Sequence, residues 1–108
     1  MTQEEENTAV YAIVQLSIHD VDRYFNDYSA HLGSISARHG VERIAVSQHP
    51  DVIEGTYQKE NTLILKFASR AVFDAWYNDP EYQPYKKIRH SVTDPNASTI
   101  VVLPAFQG

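Results

Sequence analysis

The sequence predicts a single α+β domain in which an antiparallel sheet carries two helices on one face, in the order β-α-β-β-α-β. Three observations predict it. Two amphipathic helical stretches alternate with extended runs rich in β-branched residues. A pair of extended runs lies between those helices, and one more lies at each end. The 108 residues, 43% hydrophobic and 21% charged, suffice for one core and leave no room for a second.

Ala9 to His19 is uninterrupted and rich in β-branched residues, so it forms the first strand. Val10, Ala12, Val14, Leu16 and Ile18 share one face; Tyr11, Ile13 and Gln15 make the other, which is only partly polar. Asp20 stands where an N-cap belongs, ahead of a helix from Val21 to about His39. At helical spacing Val21, Tyr28, Leu32, Ile35 and His39 form an apolar stripe flanked by Tyr24 and Phe25. Gly40 follows as the residue free to end the helix in a left-handed conformation.

Val41 to Gln48 reads as the second strand, and His49-Pro50-Asp51 as a break. Val52 to Tyr57 is a short extended piece whose Gly55 marks a bulge or a close backbone approach. After a turn at Lys59-Glu60-Asn61, Thr62 to Phe67 is a strand with apolar residues on both faces. Ser69 caps a helix from Arg70 to about Asn78, and Asp79-Pro80 restarts the chain. Pro84 forbids one continuous helix from Pro80, so a turn through Tyr82 leads into a helix from Gln83 or Pro84 to about His90. Thr99 to Leu103 is the last strand. This is the ferredoxin-like arrangement. Its two helices cover one sheet face only, while strands one, three and four are apolar on both. A homodimer through the sheet faces is therefore expected.

Composition removes several function classes. The net charge of −5 argues against nucleic-acid or anionic-membrane surfaces, and the absence of cysteine removes disulfides, thiolate metal sites and a Cys nucleophile. The start has neither a basic nor an apolar region of the secretory kind, and no apolar run approaches a membrane span. These features lead us to expect a cytoplasmic protein, with a frayed tail over residues 1–8 and one domain over 9–108. No phosphate loop, dinucleotide fingerprint, nucleophile elbow or metal-binding histidine spacing is present, so no cofactor and no metal are expected.

The densest stretch runs from Ala75 to Arg89 and holds the only tryptophan and three of the seven tyrosines. Aromatics beside helix-breaking prolines make either a packed corner or a pocket wall. Glu54, between Ile53 and Gly55, is either a desolvated carboxylate poised for acid/base work or a solvated edge-strand glutamate. His39, on the stripe at a helix C-terminus, is either a proton shuttle or a core ring bonded to a backbone carbonyl. Arg89 suits an anionic group through its planar fork, unless it pairs with Glu81, Asp79 or Glu54. Trp76 is read as core, Tyr82 as core or cleft, and of Tyr24 and Tyr28 one reaches the cleft while the other packs.

A set of residues in order carries a resemblance: Tyr11-Ala12-Ile13, Asp20, Tyr24, Tyr28, His39-Gly40, Glu54-Gly55, Phe67, Ala75-Trp76-Tyr77, Pro80-Glu81-Tyr82-Gln83 and Arg89. On these the chain resembles the domain of unknown function 1330 family of the dimeric α/β-barrel superfamily; Pro84 and the His49-Pro50 turn depart from its pattern. The resemblance implies a dimer whose two sheets form a barrel, with a cleft in each subunit between helices and sheet. It implies no particular reaction, since neighbouring families include cofactor-free monooxygenases, lactone isomerases, polyketide cyclases and haem-using enzymes. The reading that follows is a small cofactor-independent enzyme acting on an organic acid or carbonyl compound by isomerisation, cyclisation or lactone opening. Glu54 or His39 would move the proton, Arg89 would hold the anion, and tyrosines would orient the substrate. The alternative is a non-catalytic dimer that binds a small metabolite.

Overall fold

The computed structural model describes residues 8–57 and 59–107. Apart from Thr8, the tail expected over residues 1–8 lies outside them. Four strands, β1 (Val10–Leu16), β2 (Glu42–Ser47), β3 (Asn61–Phe67) and β4 (Thr99–Pro104), form one sheet in the order β2-β3-β1-β4. Every neighbouring pair is antiparallel, with Val14 opposite both Leu63 and Ile100. Three helical segments join the strands: α1 across Val21 to Arg38, α2 (Arg70–Tyr77) and α3 (Gln83–Val92). The expected ferredoxin-like order is therefore the observed one. The sheet of one chain is open, not a closed barrel.

Local chemistry sets most boundaries. The Asp20 carboxylate accepts the Arg23 N–H at 3.1 Å and Ser69 Oγ accepts the Val72 N–H at 3.2 Å, so both expected N-caps are made. Gly40 takes φ 65°, the left-handed conformation expected after α1. Asp79 opens a turn whose carboxylate accepts the Glu81 N–H at 2.9 Å, and Pro84 sits in the first turn of α3, where its missing N–H costs nothing.

α1 is not the continuous α-helix that periodicity suggests. A short α-helical start (Val21–Arg23) passes into a π-helical turn (Tyr24–Tyr28), a 3₁₀ turn (Ser29–His31) and a second α-helical piece (Gly33–Arg38). The Ser29 N–H reaches the carbonyls of both Phe25 and Tyr24. A widened turn rotates everything before it relative to the rest of the helix. Val21, placed on the inner stripe by regular spacing, is accordingly 42% exposed, while Tyr24 and Tyr28 are both buried.

The region after β2 also differs from expectation. Val52 to Tyr57 is not a strand but a run of bends, with Gly55 at φ 89° and Ile53 89% exposed. Only backbone pairing would have held it extended, and β3 pairs β2 through residues 42–47 instead.

The core lies between the sheet's inner face and the helices. Val10, Ala12, Val14 and Leu16 of β1 and Leu65 and Phe67 of β3 meet Tyr28, Ile35, Phe73, Trp76 and Tyr82. The opposite sheet face carries Tyr11, Ile13 and Ile64, half-buried by their neighbours, and Val101 and Leu103, about half exposed at 49% and 48%. Among the described residues no element covers it. Registers Ile13↔Ile64 and Ile13↔Val101 place these residues side by side as one apolar strip.

Candidate functional site

Between α1 and the sheet is a cavity of about 370 Å³. Its body is apolar, from Val14, Leu16, Leu63, Leu65, Phe25 and Leu32, and its rim includes Arg43 and Val46 on the exposed edge strand β2. The polar groups converge from four elements. The π turn supplies Tyr24 and Tyr28, β3 supplies Asn61, α2 supplies Trp76, and the segment from the following turn into α3 supplies Tyr82 and Arg89. A second, more open cavity of about 540 Å³ lies beside it and shares Leu16, Arg89 and Ile100 with the first.

The aromatic wall is tightly ordered. The Tyr28 and Tyr82 hydroxyls are 2.6 Å apart, one donating to the other. Trp76 stacks on Tyr82 with centroids 4.7 Å apart, and Tyr24 lies 5.2 Å from Tyr28. The Tyr24 hydroxyl accepts a hydrogen bond from Asn61 Nδ2 at 3.2 Å. Burial, reinforced by Tyr82, pushes the Tyr28 phenol well above its ordinary pKa; burial also raises Tyr24, against the opposing pull of Asn61 and Arg89. Both phenols are therefore neutral hydrogen-bond donors near neutral pH.

Arg89 is 5% exposed and forms no ion pair among the described residues. Burial opposes its charge, yet the phenols of Tyr82 and Tyr28 outweigh burial and hold its pKa above the ordinary value. It remains a cation. Among the described residues, the buried side-chain polar atoms with no hydrogen-bond partner are Asn61 Oδ1, Trp76 Nε1, Arg89 Nε and Arg89 Nη2. All three residues line this one cavity. Leaving such a group unsatisfied costs about 1–3 kcal/mol each, and more for a charged one, so natural folds keep few of them without a purpose.

The acids expected to pair with Arg89 are engaged elsewhere or distant. Arg38 takes Asp79 at 2.9 Å and Glu81 at 3.1 Å, and His39 Nε2 lies 2.8 Å from the same Asp79 oxygen. The structural-pair reading of Arg89 is thus corrected: the carboxylates of the α2–α3 turn serve the end of α1. His39 accordingly belongs to a latch between α1 and that turn, not to the cavity lining. Glu54 is exposed on the bend after β2 and does not line the cavity either, so the desolvated carboxylate expected there is not found. Of the residues singled out from sequence, Arg89, Tyr24, Tyr28, Tyr82 and Trp76 come together, and Trp76 is both core and wall. Asn61 and Arg43 were missed. Asn61 belongs to a turn in the linear pattern, although its alternation with Leu63, Leu65 and Phe67 puts an amide on an inward, apolar face.

The latch makes a pH prediction. The hydrogen bond from His39, then the Glu81 N–H and the Arg38 charge, hold the Asp79 carboxyl below its ordinary 3.8. A group whose folded pKa is depressed adds stability that is complete above the unfolded value and lost as pH falls through the folded one. Asp79→Asn is expected to flatten the fall in melting temperature on acidification below about pH 4. An unchanged acid limb in melting curves would show that the latch contributes nothing.

The fold and the helix-to-sheet cavity define an α+β protein of ferredoxin-like architecture. A family model described as "Domain of unknown function (DUF1330)" matches residues 9–103, and the chain belongs to that family. Among solved structures it is similar to the RPA0582 protein of unknown function from Rhodopseudomonas palustris, at 16% identity and a TM-score of 0.80, over 94% of this chain and 85% of that one. A dimeric ferredoxin-like protein of unknown function from Jannaschia sp. CCS1 aligns with a TM-score of 0.76 and 16% identity, over 90% of this chain and 99% of that one. A mutant of SnoaB, a cofactor-independent oxygenase from Streptomyces nogalater, aligns with a TM-score of 0.67 and 16% identity, over 94% and 96%. At these identities the likeness shows the fold. No curated protein matches. Among the described residues no helix is long and apolar enough to cross a membrane, and no group of three or more His, Asp or Glu is placed to hold a metal ion.

Proposed function

We propose that the cavity binds a small organic acid with an apolar body and that Arg89 holds its carboxylate. One observation carries this reading: the two Arg89 nitrogens without partners, Nε and Nη2, are the pair that forms one side of the guanidinium fork. Two parallel N–H groups on one edge match the two oxygens of a carboxylate. Burial in an apolar cavity strengthens the pairing, since water does not compete there. Trp76 and Tyr24 would position the ligand's body.

For chemistry, the reading is a cofactor-independent acid/base enzyme of the isomerase, cyclase or lactone-opening kind. The similarity to a fold that also carries a cofactor-independent oxygenase supports such a role for this scaffold. The proton is assigned to the Tyr28–Tyr82 pair, because Glu54 and His39 stand outside the cavity. A raised phenol pKa keeps Tyr28 protonated, so it can stabilise a developing oxyanion by donating a hydrogen bond to it. A second reading, binding without catalysis, is favoured by one observation: among the described residues no carboxylate, imidazole or lysine lines the cavity. Tyr28→Phe separates the two. It keeps the ring and removes one hydroxyl, so an enzyme should lose about 10²–10³-fold in turnover, whereas a binding protein should keep its ligand within a few-fold.

We also propose that the protein is a homodimer through the outer sheet face, with the apolar strip of Ile13, Ile64, Val101 and Leu103 at its centre. The fold shared with a protein described as a ferredoxin-like dimer supports this assembly, and two such sheets face to face make the barrel of the superfamily.

A further inference from the structure

Resting on the carboxylate reading, we propose that the ligand also carries a hydroxyl group and that Asn61 recognises it, so that the site takes a hydroxy acid in preference to the plain acid. Three of the unpartnered atoms, Arg89 Nε, Arg89 Nη2 and Trp76 Nε1, are donors, and an oxyanion satisfies donors. The fourth, Asn61 Oδ1, is an acceptor, and a carboxylate has nothing to give it. The complementary ligand must therefore present a proton from its body.

Asn61 is built to be selective. It is 4% exposed, held at the inward start of β3 opposite Leu16, with its Nδ2 committed to the Tyr24 hydroxyl at 3.2 Å. That bond fixes the amide, and Oδ1 is left buried without a partner on a residue that lines the cavity. A site that leaves a buried polar group unpaired rejects the analogue lacking the matching group far more strongly than an apolar pocket rejects a missing methylene. Selectivity for the hydroxyl follows from the same desolvation that makes the empty Asn61 costly.

The test is isothermal titration of the full chain with benzoate and with 2-, 3- and 4-hydroxybenzoate, for wild type, Asn61→Leu and Arg89→Met. The proposal expects at least one hydroxybenzoate to bind wild type about tenfold or more tightly than benzoate. In Asn61→Leu that preference should shrink to within about threefold while benzoate still binds. Should the leucine variant fail to fold, Asn61→Ala removes the same acceptor with less volume and is read in the same way. If benzoate binds in an Arg89-dependent way and no isomer is preferred, the hydroxyl inference is overturned and the carboxylate reading stands. A preference that survives in the Asn61 variants overturns the assignment to Asn61. Absence of binding by every acid overturns both.

Discussion

Replacing Arg89 by methionine is expected to abolish acid binding while leaving the empty protein folded and close to its original stability. One term sets the size of the first effect. A buried carboxylate that loses its guanidinium partner forfeits about 2–5 kcal/mol, which is roughly 30-fold to several thousand-fold in affinity. The second effect is small because burial opposes the Arg89 charge while the neighbouring Tyr82 and Tyr28 hydroxyls offset that cost. Removing the cation loses the burial cost together with that offset, and methionine keeps much of the apolar stem. Arg89→Lys should recover only part of the binding, since an ammonium cannot present two parallel N–H groups. Calorimetry and thermal denaturation on the same preparations check both halves. A variant that binds normally removes Arg89 from the site; one that loses binding only because it unfolds makes Arg89 a structural residue.

The second large effect concerns assembly. Val101→Asp with Leu103→Asp should convert a dimer to monomers. In a two-fold assembly each substitution acts twice, and truncating a central interface residue costs about 2 kcal/mol or more. Buried carboxylates without partners add to that. The dissociation constant should rise by roughly 10³-fold or more, enough to show as halved mass in sedimentation at micromolar protein. Both residues are about half exposed in the single chain and belong to the outer face of β4, so the variant should fold. A wild-type protein that sediments as a monomer would leave the apolar strip uncovered and remove the assembly.

What could be read from the sequence was what depends on near neighbours. Asp20, Ser69, Gly40, Asp79 and Pro84 act within one turn of chain, and each takes its expected role. Strand faces followed from alternation, and with them the uncovered second face of the sheet. Choices made between distant parts of the chain were not legible. Asp79 had Arg38, His39 and Arg89 as rivals for its carboxylate, and only the fold shows that α1 delivers the first two. The π turn at Tyr24–Tyr28 has no signature in a pattern that still fits a regular helix; burying both tyrosines against Asn61 and Tyr82 is a tertiary demand. Glu54 looked desolvated because Ile53 and Gly55 flank it, yet Ile53 itself is 89% exposed. The aromatic stretch was recognised as a wall or a corner, and it is both.

The central claim is that Arg89 accepts a carboxylate inside the cavity, and it is tested most directly by titrating wild-type protein with matched pairs of an aromatic acid and its carboxamide. Acid and amide share shape and differ in charge and in acceptor geometry. The acid should bind at least about 30-fold more tightly than the amide, as expected for a charge-assisted bidentate contact over a neutral one. Equal binding of the two would contradict it, because a cavity that ignores the carboxylate does not use the two free nitrogens of Arg89.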